Sequence, residues 1–153
     1  MASINIKIIS GGQAGVDRVA LDFALTHGLD CGGWCPRGRR AEDGQIPERY
    51  PLQETNTPNY PERTRRNIQN SDATLLITSG HALTGGSRLT YQLACQLGKP
   101  ILHLYPGFPW PARLLKDFLR KHLVQVLNVA GTRASRAPKL GDFVAQLLQE
   151  VCQ

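Results

Sequence analysis

The chain has one methionine, two tryptophans and four cysteines in 153 residues, and aromatics make up only 7% of it. No apolar run approaches the ~20 residues that a membrane span requires, so no membrane role is expected. Residues 1–9, MASINIKII, carry neither a basic leader nor a small-residue cleavage site, which points to a cytoplasmic location. Cys31 and Cys35 lie four apart, but no second close pair or neighbouring histidine completes a zinc spacing. The cysteines read as reduced thiols packed as small hydrophobes, with a redox or soft-metal role for Cys31/Cys35 as the alternative. Neither internal repeat nor low-complexity tract is present, and no metal site is expected.

What the chain does have is basic charge. Its formal net charge is +6, with a pI near 9.5, which favours an anionic partner. Nucleic-acid binders often interleave aromatics with their basic runs. The two basic clusters here, Arg37–Arg40 and Arg63–Arg66, contain none, so nucleic acid is disfavoured and a small phosphorylated ligand preferred. The length suits one domain, residues 1–153.

Short β-branched runs alternate with amphipathic stretches of helix length, the pattern of a parallel α/β sheet. Strands are expected at Ile4–Ile9, Asp30–Cys35, Ala73–Ser79, Ile101–Tyr105 and Gln125–Val129. Helices are expected at Gly15–His27, Tyr60–Asn70, Ser87–Leu97, Pro111–His122 and Leu140–Cys152. In the first helix Val16, Val19, Ala20, Phe23 and Ala24 share one face, and Gly28 supplies the stop. The expected fold is a Rossmann-like three-layer α/β/α sandwich on a mostly parallel sheet of about five strands. Pro36–Asn59 has no periodicity and is long for a loop, which marks it as functional or mobile.

Two glycine-rich turns follow strands. Ser10-Gly11-Gly12-Gln13-Ala14-Gly15 stands between the first strand and first helix, where backbone N–H groups and a helix dipole can converge on an anion. A plain strand-to-helix turn also favours glycine. A dinucleotide fingerprint needs G-x-G-x-x-G and an acidic residue ending the second strand, and here that strand runs into Gly32-Gly33-Trp34. The G-x-x-x-x-G-K-[ST] phosphate loop is absent too. Thr84-Gly85-Gly86-Ser87 repeats the arrangement, although Thr84 or Ser87 could serve only as a helix cap. Two such loops at the carboxyl ends of parallel strands favour a ligand crevice.

The arginines of Pro36–Gly44 leave the same sheet edge, either to grip phosphate or to lie in solvent. Arg63 and Asn67, four apart on one helix face, point toward the crevice, while Arg65 and Arg66 point to water. Asp17 suits its helix dipole, and with Arg18 it could orient a loop or read a ligand hydroxyl. His81 and His103, near strand ends, read as structural.

Four segments carry a resemblance: SGGQAGVDRVALDFALTHGLDCGGWCPRGRRAEDGQIPERYPLQET, YPERTRRNIQNSDATLLI, TGGSRLT with the following GKP, and LNVAGTRASRAP. They span essentially the whole chain, which resembles the molybdenum-cofactor carrier family. That family belongs to a Rossmann-like superfamily that includes circularly permuted YpsA-like, DprA-like DNA-binding and "lysine decarboxylase-like" (LOG) proteins. The resemblance implies a homo-oligomer, dimer or tetramer, that binds and protects the molybdenum cofactor (a phosphorylated molybdopterin) and hands it to molybdoenzymes. Its site residues, by resemblance, are Gly11, Gly12, Gln13, Gly15, Asp17, Arg18, Arg37, Arg39, Arg40, Arg63, Thr64, Asn67, Thr84, Gly85, Gly86, Ser87 and Thr90. Phosphate or a nucleotide is the alternative occupant.

The LOG-type phosphoribohydrolases carry PGGxGTxxE. Laid over Thr84–Gln92, their glutamate falls on Gln92, whose amide cannot act as acid or base. No catalytic residue is therefore expected, and a carrier is preferred to the alternative, a sensor or hydrolase of an AMP- or ADP-ribose-like nucleotide.

Overall fold

The computed structural model describes residues 4–152 of the chain; residues 1–3, part of the segment read for a leader, lie outside that range. In chain order run β1 (Lys7–Ile9), α1 (Val16–Thr26), β2 (Cys31–Gly32), β3 (Trp34–Cys35), β4 (Arg40–Ala41), β5 (Gly44–Gln45), β6 (Gln53–Glu54) and α2 (Tyr60–Gln69). Then come β7 (Ala73–Ile77), α3 (Gly85–Gln96), β8 (Ile101–Leu104), α4 (Pro111–Lys121), β9 (Val126–Gly131) and α5 (Leu140–Cys152).

The central sheet has five strands in the order β2-β1-β9-β7-β8, and every pairing within it is parallel. β7 is buried along its whole length, which is why ATLLI reads as a continuous apolar run with no alternation. Parallel neighbours need right-handed crossovers, so the direction of each step fixes the face its helix covers. Steps from β1 to β2 and from β8 to β9 run one way and carry α1 and α4. Steps from β2 to β7 and from β7 to β8 run the other way and carry α2 and α3. The packing agrees: α1, α4 and α5 share one apolar core with the sheet, and α2 and α3 close a smaller one around Ile68, Leu93 and Ala94. Each fully buried leucine or isoleucine, such as Leu75, Leu127 or Leu148, contributes roughly 1.5–3 kcal/mol.

Three sequence-based expectations are corrected. The first strand is shorter, Lys7–Ile9 in place of Ile4–Ile9. The second breaks at Gly33, whose φ of +126° turns β3 out of the central sheet to pair with β6. Pro36–Asn59 is a built lobe and not a structureless loop: β3/β6 and the β4/β5 hairpin enclose a core of Leu21, Cys35, Ala41, Ile46 and Tyr50. Two-residue strands leave no periodicity to read, and a buried arginine holds the lobe where apolar residues are few.

Candidate functional site

The direction of the crossovers reverses between β1, which feeds α1 on one face, and β7, which feeds α3 on the other, with β9 between them. Such a switch point leaves a crevice beyond the carboxyl ends of the strands. Here it has a volume of about 340 Å³, within the range of small-molecule sites.

Its floor comes from the turn after β1. Ser10 Oγ donates to Val129 O and ties that turn to β9. A side chain on Gly11 would collide with the Arg63 guanidinium, and one on Gly12 would lie 2.7 Å from Leu52 Cδ1. Both glycines are thus required by packing of the lobe and α2 against the turn. Arg63 Nη1 donates to Gly11 O at 3.0 Å and lies 3.8 Å from Asp17 Oδ2. Burial raises the Asp17 carboxyl above its ordinary range, against the opposing pull of Arg63 and the Gln13 and Gly11 N–H groups. Burial likewise lowers Arg63, with Asp17 opposing. The role left to Asp17 by sequence, complementing the helix dipole, is thus extended to a buried ion pair.

One wall is the start of α3. Thr84 N–H donates to Ser87 Oγ at 3.1 Å, and the Ser87 hydroxyl donates back to Thr84 O at 2.7 Å, so the Ser87 side chain closes the start of the helix. The helix opens at Gly85, two residues before the Ser87 start expected from sequence. Side chains built on Gly85 or Gly86 would meet no atom within 4 Å. Unlike Gly11 and Gly12, these glycines stand clear of the protein and present first-turn amides that have no intrahelical partner.

A second wall is α2 with the segment after β9. Arg63 and Asn67 line the crevice from α2, together with Tyr60 and Thr64. The guanidiniums of Arg40, Arg63 and Arg133 lie 4.8, 5.1 and 5.6 Å from the centre of the Tyr60 ring. Arg133 and Arg136 also line the crevice. Glu42 secures their segment: Ser135 N–H and Oγ donate to its carboxylate at 3.0 and 2.6 Å, and Arg133 Nε lies 3.9 Å away. Burial alone would raise Glu42, but the Ser135 bonds and Arg133 outweigh it and hold the group below the ordinary glutamate range.

Of the site residues expected from sequence, Gly11, Gln13, Asp17, Arg63, Thr64, Asn67, Thr84, Gly85, Gly86, Ser87 and Thr90 are brought together around this crevice. Gly12, Gly15, Arg18, Arg37, Arg39 and Arg40 are not among its lining residues. Gly15 is closed over by the 132–134 segment, and Arg18 forms a two-pronged pair with Asp43. Arg37 and Arg40 are exposed. Arg39 is buried, and its guanidinium donates to the carbonyls of Ile46, Pro47, Tyr50 and Leu52. Arg66, expected in water, lies 4.8 Å from the Trp34 ring centre. Gln92 is exposed on α3 and does not line the crevice. Reading the sequence missed Tyr60, Asn128, Thr132, Arg133 and Arg136. The available signal was position: Arg133 and Arg136 follow a strand at the same sheet edge as the glycine turns. Among the described residues, no three His, Cys, Asp or Glu side chains gather as a metal site. No helix of the described residues is long and apolar enough to cross a membrane.

A parallel sheet with helices on both faces and a basic, glycine-walled crevice at its switch point defines a Rossmann-like fold. The chain belongs to the circularly permuted YpsA family of the SLOG group, whose family model matches residues 8–152. A crystal structure from Syntrophus aciditrophicus SB, described as "Putative molybdenum carrier protein", is 44% identical and superposes with a TM-score of 0.94, covering 99% of this chain and 97% of that one. (E)-4-Hydroxy-3-methyl-but-2-enyl diphosphate reductase matches at 12% identity and a TM-score of 0.44, over 96% of this chain and 60% of that one, a likeness too slight to use. No curated protein matches the sequence.

Proposed function

We propose that the crevice carries the molybdenum cofactor, a phosphorylated molybdopterin, as cargo. The observation that carries this reading is that the open amides of Gly85 and Gly86 line the same crevice as Arg133 and Arg136. Backbone N–H groups at a helix start, with the helix dipole behind them, suit a phosphate. Arginine forks add charge and bidentate geometry. The molybdenum-carrier description of the 44%-identical structure supports the choice of cargo.

Carriage is preferred to cleavage because Asp17 is the one carboxylate lining the crevice among the described residues. It is engaged by the Gln13 N–H and faces Arg63. The same reading extends to a cytoplasmic homo-oligomer that passes cofactor to molybdoenzymes. The test is to incubate the protein with cofactor released from a molybdoenzyme, desalt it, oxidise it and measure pterin fluorescence. Retention of about one pterin per site is expected, with a thermal shift that grows with cofactor concentration as RT ln(1 + [L]/Kd) requires. No retained pterin, together with strong stabilisation by AMP or ADP-ribose, overturns the reading.

A further inference from the structure

Gln13 lies on the crevice floor and is 6% exposed. Its amide oxygen accepts two backbone N–H groups, from Ala14 at 3.1 Å and from Glu42 at 2.8 Å. Those donors come from two different segments, the turn after β1 and the lobe. Together they fill both lone pairs of the oxygen and settle which end of the amide is which. Nε2 is therefore the free end, and it is a buried side-chain nitrogen with no hydrogen-bond partner. Leaving such a donor unpaired costs on the order of 1–3 kcal/mol, a cost that an acceptor on a bound ligand would relieve.

The anionic end of a ligand has other partners, the α3 amides and Arg133 and Arg136. With its oxygen filled, Gln13 can only donate. We infer that Gln13 is a specificity-determining residue that donates from Nε2 to a keto oxygen on the heterocycle of a phosphorylated ligand. It thereby discriminates against heterocycles that place an amino group there. This rests on reading the crevice as a site for a phosphorylated heterocycle, but not on that heterocycle being a pterin.

The probes are a phosphorylated 6-alkylpterin, its 2,4-diamino analogue, GMP, AMP and inorganic phosphate, titrated calorimetrically against wild type and Gln13→Glu. The glutamate retains an oxygen for the Ala14 and Glu42 N–H groups and replaces the free N–H donor with an acceptor; melting without ligand checks that it folds. Wild type is expected to bind the keto member of at least one pair, alkylpterin or GMP, at least tenfold tighter than its amino counterpart, about 1.4 kcal/mol. Gln13→Glu is expected to lose tenfold or more on that keto ligand and to erase or invert the preference, with inorganic phosphate little changed. Should GMP show this pattern while alkylpterin phosphate fails to bind, the pterin reading falls and the role of Gln13 stands. Equal wild-type affinity for keto and amino ligands, a folded Gln13→Glu that binds as wild type does, or no heterocycle bound at all overturns the inference. A Gln13→Glu that does not fold passes the test to Gln13→Met, expected to lose the keto preference without inverting it; a preference retained there equally overturns it.

Discussion

Asp17 and Arg63 face each other beneath the crevice with 3.8 Å between Oδ2 and Nη1, their side chains only 8% and 11% exposed. They come from α1 and α2, which cover opposite faces of the sheet, so the pair joins the two helical layers through the turn at Gly11. Breaking a buried pair from one side is costly because the surviving charge stays buried without its counter-charge. Asp17→Ala should lower unfolding stability by roughly 3–5 kcal/mol. Asp17→Leu combined with Arg63→Met should recover a large part of that loss. Urea denaturation of the three proteins measures both effects, and a double variant as weak as the single would refute the argument.

The glycines separate into those that the fold needs and those that the site needs. A methyl group on Gly131 would collide with Ile77 O and lie 2.8 Å from Val16 Cβ, where β7, β9 and α1 meet. Gly131→Ala should therefore unfold at markedly lower denaturant. Gly86 lies inside the first turn of α3 with open space around it. Gly86→Ala should keep or slightly raise the melting temperature, since alanine gains up to ~1 kcal/mol over glycine in a helix. The same change should weaken phosphate or phosphorylated-ligand binding at least tenfold by filling the cradle. A Gly86→Ala protein that binds normally would remove α3 from the site.

Arg39 is a case where sequence chemistry and structure part company. Its fork is spent on four carbonyls of the lobe, from 2.8 to 3.4 Å. Lysine cannot reproduce that planar geometry. Arg39→Lys should cost about 3 kcal/mol, on the scale of hydrogen bonds to charged groups, and expose the lobe to proteolysis. Arg37→Ala, at an exposed neighbour, should change stability by less than ~0.5 kcal/mol. Limited proteolysis beside denaturant melts distinguishes the two.

This contrast shows where sequence reading ends. The α1 and α5 helices are legible because each repeats an apolar period, and β7 because its apolar run is long enough to be read as buried. The turns at Gly11 and Gly85 were legible because glycine after a strand has few uses. The lobe was not, since two-residue strands carry no period and Arg39 has the same letters around it whether it grips phosphate or carbonyl oxygens. Arg133 and Arg136 are not legible as site residues from sequence, because only the strand order brings the end of β9 between the two glycine turns. The free nitrogen of Gln13 depends on Glu42, twenty-nine positions away, and no local pattern contains it.

Glu42 gives the crevice a dependence on pH. Its folded carboxyl is held below the ordinary glutamate value of about 4.3 by Ser135 and Arg133, against the effect of burial. A lowered carboxyl contributes stability that is fully present above its unfolded value and is lost as pH falls through its folded value. Asp43 is lowered as well, chiefly by its hydrogen bonds to Arg18, so acid weakens two links between the lobe and the rest of the chain over overlapping ranges. Subtracting Glu42→Gln from wild type isolates one of them, because the glutamine keeps the backbone N–H that Gln13 accepts. At pH 7 the difference should be about 1 kcal/mol or less, as befits a partly exposed pair. It should shrink toward zero as pH is lowered through and below the ordinary glutamate range in urea melts. A difference that stays constant across that range would show that the Glu42 charge does not hold the Arg133 segment in place.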